Sequence, residues 1–304
     1  MASETTNATT RLRPSNTSGW LTIPAPLARL FKKFPLLTYP PNELPIRAPS
    51  SRDVATLYVF ISEPDALKGL PSYNPSCLKW QTFLKLAGVD FQLVSSNNHA
   101  SPTGALPFLI PPFSPQNPTT HSPRPIPSSK LEQYPDEKSI SKVPGTLSLK
   151  LEAYESLLDH RIRNAWLYSL YLSRPNSALL SRLYVAPVSQ SKIVRTTVLY
   201  QLRHAAEAEI LRSMGSPRVD PRALYDGAKE AFEALSTVLG AEDWFFGTSE
   251  PSLFDAAVFA YTHLLLDDGL AWGERRLSDI VGDFQNLVEH RDRIFRRCWG
   301  SEGS

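Results

Sequence analysis

Residues 76–94 read SCLKWQTFLKLAGVDFQLV, and the way this stretch divides decides the fold. Its first half has helical spacing: Cys77, Trp80, Leu84 and Ala87 step by three, four and three along one face. Asn74 or Ser76 can cap that helix, and Gly88 supplies a left-handed residue just past its end. VDFQLVSS then reads as a strand. Upstream, TLYVFI at 56–61 is a β-branched and aromatic run of strand length, followed at 62–75 by SEPDALKGLPSYNP, which reads as a turn-rich loop. Strand, helix, strand joined by short connections predict a parallel βαβ unit. Downstream, SPTGALPFLIP at 101–111 gives a turn at Gly104, then Pro107, then a third apolar strand. Proline just ahead of a strand fits a cis bond in a tight turn.

From Ser148 onward the strand signals vanish and the period becomes helical. Helices are predicted over Leu149–Leu172, Ser177–Val185, Ser189–Met214, Pro221–Leu239, Leu253–Ala271 and Phe284–Trp299. Gly215 and Gly240 stop two of them, and Asp220 with Pro221 opens another as N-cap and first helical residue. Between Pro221 and Gly240, Leu224, Ala228, Ala231, Leu235 and Leu239 form one buried stripe. The block DWFFGTSEPSLFDAAVFAYTHLLL at 243–266 adds a Phe246-Gly247 turn and a Ser252-x-x-Asp255 capping box. In such a box each side chain binds the other's backbone amide at a helix start that water does not reach. Its role is folding and not chemistry.

The βαβ unit with Gly-x-Leu-Pro-Phe-Leu resembles the thioredoxin-like N-terminal domain of the glutathione transferase superfamily. The 243–266 block resembles the buried helix start of that superfamily's C-terminal domain. The expected fold class is therefore α/β plus all-α, a thioredoxin-like domain followed by a helical bundle. The expected division is an extended Pro-rich arm at 1–52, a thioredoxin-like domain at 53–147 and a helical domain at 148–304.

Composition supports two ordinary domains with appendages. The chain has 304 residues, 42% of them hydrophobic, which is ample for a buried core and excludes disorder throughout. Of 27 prolines, eight lie between Pro14 and Pro49 and eleven between Pro102 and Pro144. These windows are expected to run as extended arm and loop, the second forming an insertion at about 111–144. The net charge of +2 provides no global field for nucleic acid, so no nucleic-acid partner is expected. Positive charge is concentrated in residues 1–47, where six basic and two acidic side chains give +4. No run approaches the roughly 18 apolar residues of a membrane span, and the N-terminus has no apolar targeting segment. It reads as a tail.

Catalytic chemistry has thin support. Resemblance to glutathione transferases implies a Tyr, Ser or Cys near the start of the first helix and an acid–Ser pair after the third strand. Cys77 is the one thiol in place, yet it shares the apolar stripe with Trp80 and Leu84, where an inert thiol is the expectation. In place of the acid–Ser pair stands Glu137-Lys-Ser139, displaced by the insertion, so the glutathione pocket is expected to be lost. A glutathione-dependent transferase or thiol enzyme using Cys77 remains the alternative. Six histidines (His99, His121, His160, His204, His263, His290) stand apart without ligand spacing, so no metal is expected. His204 and His263 lie inside helices, where surface or hydrogen-bonded structural roles are the default. No nucleotide loop or Gly-x-Ser-x-Gly elbow is present, and no cofactor is expected. ERRLSD and EHRDRIFRRCW read as solvated helix faces.

Taken together, LYVFI at 57–61, PSCLKWQTFLKLAGVDFQLV at 75–94, NHASPTGALPFLIP at 98–111 and WFFGTSEPSLFDAAVFAYTHLLL at 244–266 resemble the metaxin-like proteins. The Cys-Leu-Lys helix opening and the Gly-Val-x-Phe step into the second strand carry most of that resemblance. It implies a non-enzymatic peripheral subunit on the cytosolic face of the mitochondrial outer membrane. Its partners would be a barrel-forming outer-membrane core subunit, a second metaxin-like subunit and β-barrel precursor proteins, whose β-signals it would help recognise. Contact with the membrane surface would come through the complex, without a transmembrane helix. Within the arm, Leu27, Phe31, Phe34, Leu36 and Tyr39 form an apolar cluster that requires a cover, and partner binding is one expected use.

Overall fold

A computed structural model describes residues 53–112, 124–135 and 148–300, all within one compact unit, Ser50–Ser304. The sheet is built on β1 (Ala55–Val59), whose residues are buried except for the half-buried Tyr58. It runs parallel to β2 (Phe91–Ser95) and antiparallel to β3 (Phe108–Ile110), so Leu57 faces Leu93 on one side and Leu109 on the other. A fourth strand, β4 (Ile126–Pro127), closes the order β2-β1-β3-β4. The bond between Leu106 and Pro107 is cis, at the entry to β3 as its position implies. Tyr58 and Phe108 stack at 4.5 Å on adjacent strands.

Two readings of this half are corrected. The stretch after β1 is not only loop: α1 (Glu63–Leu67) forms there, capped by Ser62, which accepts from the Asp65 amide at 3.3 Å. Nor is the Pro-rich insertion all extended connection. It delivers β4 and a 3-10 turn, Ser128–Gln133, whose Leu131 is fully buried beneath the sheet. Proline is compatible with β4 because an edge strand leaves one row of amides unpaired. Residues 113–123 and 136–147 of the insertion lie outside the described residues.

Helix α2 (Pro75–Leu86) takes its cap from Asn74, whose Oδ1 accepts from the Cys77 amide at 3.1 Å; Gly88 follows at φ +68°. Cys77, Trp80, Phe83 and Leu84 pack beneath the sheet, and Leu78 on another face joins the core of the helical half. The helix is therefore buried on more than the single stripe its spacing predicts. Gln81, also buried, fastens the chain before it by accepting from the Ser72 amide at 2.9 Å and donating to the Leu70 carbonyl at 2.8 Å.

The helical half follows the predicted order, with corrected boundaries. Its first long helix runs as α3 (Ser148–Ser156), a π-helical segment Leu157–Ile162, α4 (Arg163–Leu167) and a second π-helical segment Tyr168–Leu172. Next come α5 (Ser177–Leu180), prolonged by a π-helical segment Ser181–Val185, α6 (Lys192–Met214) and α7 (Pro221–Leu239). Helix α6 starts three residues later than predicted, after Ser189 Oγ has accepted from the Ser191 amide at 3.1 Å. Helix α8 is Leu253–Leu266 and stops short of Ala271 because Asp267 Oδ1 accepts from the Gly269 amide at 2.9 Å, a local bond that competes with helix. Two further helices, α9 (Arg276–Gly282) and α10 (Gln285–Trp299), complete the unit.

The stretches read as solvated faces are part of the packing. Within α9 Leu277, Ser278 and Val281 are buried, and within α10 Leu287, His290 and Ile294 are. Arginines of α10 lie over rings, Arg293 and Arg297 above Trp244 and Arg291 above Phe295. Trp299 reaches back to the first half and donates to the Gly69 carbonyl at 2.9 Å. Centrally, α8 lies against α2, and its Ala256 belongs to the core beneath the sheet.

Candidate functional site

Within the described residues the sequence points to a candidate site at the start of α2 and to a structural motif at the start of α8. At the first, Cys77 sits on the third residue of the helix and is fully buried. Burial pushes its thiol up to about 12, so the reactive thiolate is disfavoured despite the helix N-terminus. The amide that would attract an anion there, Cys77 N–H, is already bound to Asn74. Ser72, one turn upstream, donates to the Phe60 carbonyl at 2.6 Å and accepts from the Asn74 amide at 3.2 Å.

Aromatic side chains from both halves converge on this helix start. Tyr184 meets Phe60 and Tyr73 edge to face, each at 5.3 Å, and Tyr171 at 5.9 Å. The Tyr184 hydroxyl accepts from Asn74 Nδ2 at 3.1 Å, so the residue that caps α2 is also tied to the helical half. Burial raises the phenols of Tyr73, Tyr171 and Tyr184 above their ordinary range, which keeps them neutral. A cluster of neutral rings stands where an activated hydroxyl or thiol would need charge stabilisation.

At the start of α8 the capping box is present in both directions. Ser252 Oγ accepts from the Asp255 amide at 3.4 Å, and Asp255 Oδ2 accepts from the Ser252 amide at 2.8 Å and its hydroxyl at 2.6 Å. Asp255 does more than the motif requires. Its Oδ1 accepts from the Phe245 amide at 3.0 Å and from His290 Nε2 at 2.9 Å, with both side chains fully buried. Phe246 and Gly247 take consecutive left-handed conformations, at φ 62° and 66°, which turns the chain so that Phe245 meets Asp255.

His290 was therefore not isolated, as its sequence position suggested; the fold carries it to Asp255 across 35 residues. Its flanking charges, EHRDR, concealed a buried face at Leu287, His290 and Ile294, whose spacing of three and four was the available signal. His263 departs from its expectation as well. It is neither on the surface nor hydrogen-bonded through Nδ1, but lies stacked between Phe259 at 5.0 Å and Phe295 at 5.2 Å. Burial lowers its pKa to about 3, with Arg291 adding to the effect. His204 is exposed beside Tyr200, as expected.

Pro107, Cys77 and the 252–255 box lie on three different elements, and Cys77 has no carboxylate or imidazole among its hydrogen-bond partners. Among the described residues no group of three His, Cys, Asp or Glu side chains converges as a metal site would require. The arm residues Leu27, Phe31, Phe34, Leu36 and Tyr39, and Glu137 with Ser139, lie outside the described residues.

Comparison with known proteins extends this description. Residues 75–176 match the family model described as the glutathione S-transferase N-terminal domain, and residues 228–294 match the glutathione S-transferase C-terminal domain. Metaxin-3 of Xenopus laevis is 28% identical over 201 residues, covering 64% of this chain and 62% of its own, so the match spans less than two thirds of that relative. Metaxin-1 of Macaca fascicularis is 26% identical over 241 residues, covering 78% of this chain and 74% of its own. Among solved structures, glutaredoxin 2 of Salmonella typhimurium in complex with glutathione is 16% identical and covers 81% of this chain and 94% of its own, with a TM-score of 0.47.

Proposed function

The chain belongs to a metaxin-like family built on the glutathione-transferase fold, and from that premise we propose that it is a non-catalytic peripheral subunit of the mitochondrial outer-membrane sorting and assembly complex. In this reading it resembles the peripheral thirty-five-kilodalton receptor subunit of the fungal machinery. It sits on the cytosolic face of a barrel-forming core subunit, beside a second metaxin-like subunit. There it helps to recognise the β-signals of β-barrel precursors and to insert them into the membrane.

The observation that carries the non-catalytic part is the start of α2. A glutathione-dependent reaction needs a group there that stabilises a thiolate. This chain instead has a buried thiol raised to about 12, a satisfied amide and a cluster of neutral tyrosines. The family supports an adaptor role; among the described residues no helix is long and apolar enough to cross a membrane. Such a subunit reaches the membrane by binding other components.

A mild-detergent pull-down of the full chain from mitochondria, read by mass spectrometry, tests the reading. The barrel-forming subunit and a second metaxin-like protein are the expected partners. Recovery of neither defeats the proposal, and retention on a glutathione column with turnover lost in Cys77→Ser would establish the enzyme instead. Deleting residues 1–47, with their +4 charge and apolar cluster, is expected to reduce recovery of the barrel subunit. Undiminished recovery excludes the arm as the contact.

A further inference from the structure

Residues 160–206 contain no Asp or Glu and seven basic side chains, Arg161, Arg163, Arg174, Arg182, Lys192, Arg195 and Arg203. With +2 for the whole chain and +7 here, the remainder carries 2 − 7 = −5. Among the described residues, acidic side chains of other elements answer two of the seven: Arg161 pairs with Glu230 and Arg163 with Glu209. Arg182, Arg195 and Arg203 donate to the carbonyls of Leu270, Ser189 and Tyr171. No described carboxylate lies within ion-pair distance of these three or of the exposed Arg174 and Lys192.

The same segment holds exposed apolar side chains. Val188 is 58% exposed, Ile193 80%, Val194 41% and Tyr200 68%, which is four of the seven exposed large hydrophobics among the described residues. On α6 the face toward the bundle carries Leu199, Leu202, Ala206 and Ile210, while Ile193, Thr197, Tyr200 and His204 share the outward face. The hydroxyls of Thr196 and Thr197 donate to the Lys192 and Ile193 carbonyls at 2.9 and 3.1 Å, so neither seeks a partner outside the helix. An apolar ridge thus projects at a helix start whose own cations, Lys192 and Arg195, have no described carboxylate within ion-pair distance.

We propose that the turn before α6 and its first turns form a direct docking surface for an anionic lipid membrane. Shallow insertion needs apolar side chains that reach past the headgroups and cations that meet lipid phosphates and carboxylates, and stable peripheral binding needs both together. Ile193, Val194, Tyr200 and Val188 supply the first, and Lys192 with Arg195, which is held at the same turn by the Ser189 carbonyl, the second. A protein partner fits less well. The ridge is a projecting helix start with few apolar side chains, whereas a stable protein interface buries at least about 1,000 Å² with a fitted core. This contact adds to the attachment through protein subunits and does not depend on it.

Purified full-length protein is to be sedimented with phosphatidylcholine vesicles and with vesicles in which about a third of the lipid is phosphatidylserine. Binding is expected to the anionic vesicles, weakening as salt rises, and little to the neutral ones. The pairs Ile193→Ser with Tyr200→Ser and Lys192→Glu with Arg195→Gln are each expected to lower partitioning about tenfold or more. Leu67→Ser, which removes an equally exposed apolar side chain elsewhere, leaves it unchanged. Thermal melts of every variant confirm the fold. Absence of binding to either vesicle overturns the proposal, as does equal binding by all variants or binding lost only when residues 1–47 are deleted. Crosslinking of a protein at position 193 without vesicle binding also overturns it. No partner subunit is present in this assay, so its outcome is independent of the pull-down.

Discussion

Asp255 shows how much one side chain can hold. Four hydrogen bonds converge on a fully buried carboxylate, from Phe245, Ser252 twice and His290, so removing it orphans donors on three segments at once. Asp255→Ala is expected to cost about 3–5 kcal/mol in urea denaturation, the range for breaking a buried charged network. A loss below about 1 kcal/mol, the size of an ordinary cap, would mean the carboxylate is no more than that. His263 gives a pH dependence with a definite sign. Its folded pKa, about 3, lies below its ordinary 6.5, so between those values only the unfolded chain binds the proton. The stability it protects is complete above pH 6.5 and declines as pH falls toward about 3, by a few kcal/mol in all. His263→Phe keeps the ring stack and removes the titration, so its advantage over the native protein is expected to grow as pH falls through that window. A constant difference would show that His263 does not titrate with unfolding. For Cys77, burial and the raised pKa imply that iodoacetamide labels it only after unfolding; labelling of the native protein at neutral pH would reopen the thiol.

Among the elements, α2 depends on the residue that caps it. Asn74→Ala is expected to cost about 1 kcal/mol for the cap and somewhat more for the lost bond to Tyr184, measured by chemical denaturation. Asn74→Asp should restore most of the cap without the amide that reaches Tyr184. This helix, the parallel pair β1 and β2, the cis bond at Pro107 and the box opening α8 were legible because each is written in local chemistry: a cap, a spacing, a glycine or a proline. Of the elements that were missed, α1 carries its own local cap at Ser62, whereas β4 and α9 are held from elsewhere. Strand β4 is two residues long and has no pattern of its own, and it exists because β3 presents an open edge and Leu131 has a core to enter. Helix α9 hid behind ERRLSD, whose charges outweigh a short apolar face. The site was less legible than the fold, since Tyr171, Tyr184 and His290 reach it through tertiary placement that no spacing encodes.

On the scale of the whole molecule, the two halves share their interiors. Leu78 leaves the first half to join the helical core, Ala256 crosses in the opposite sense, and Trp299 anchors the last helix to Gly69. One cooperative transition is therefore expected, with circular dichroism and tryptophan fluorescence melting together. Two separated transitions would show that the halves are independent. The exposed apolar ridge at α6 lies on the helical half and so is available only once that half has formed. Ala256 has a consequence for biosynthesis. Leu57, Phe83 and Leu109 are covered mainly by residues of their own half, but the cluster takes its last buried member from α8 and so closes completely only when that helix has left the ribosome, late in translation.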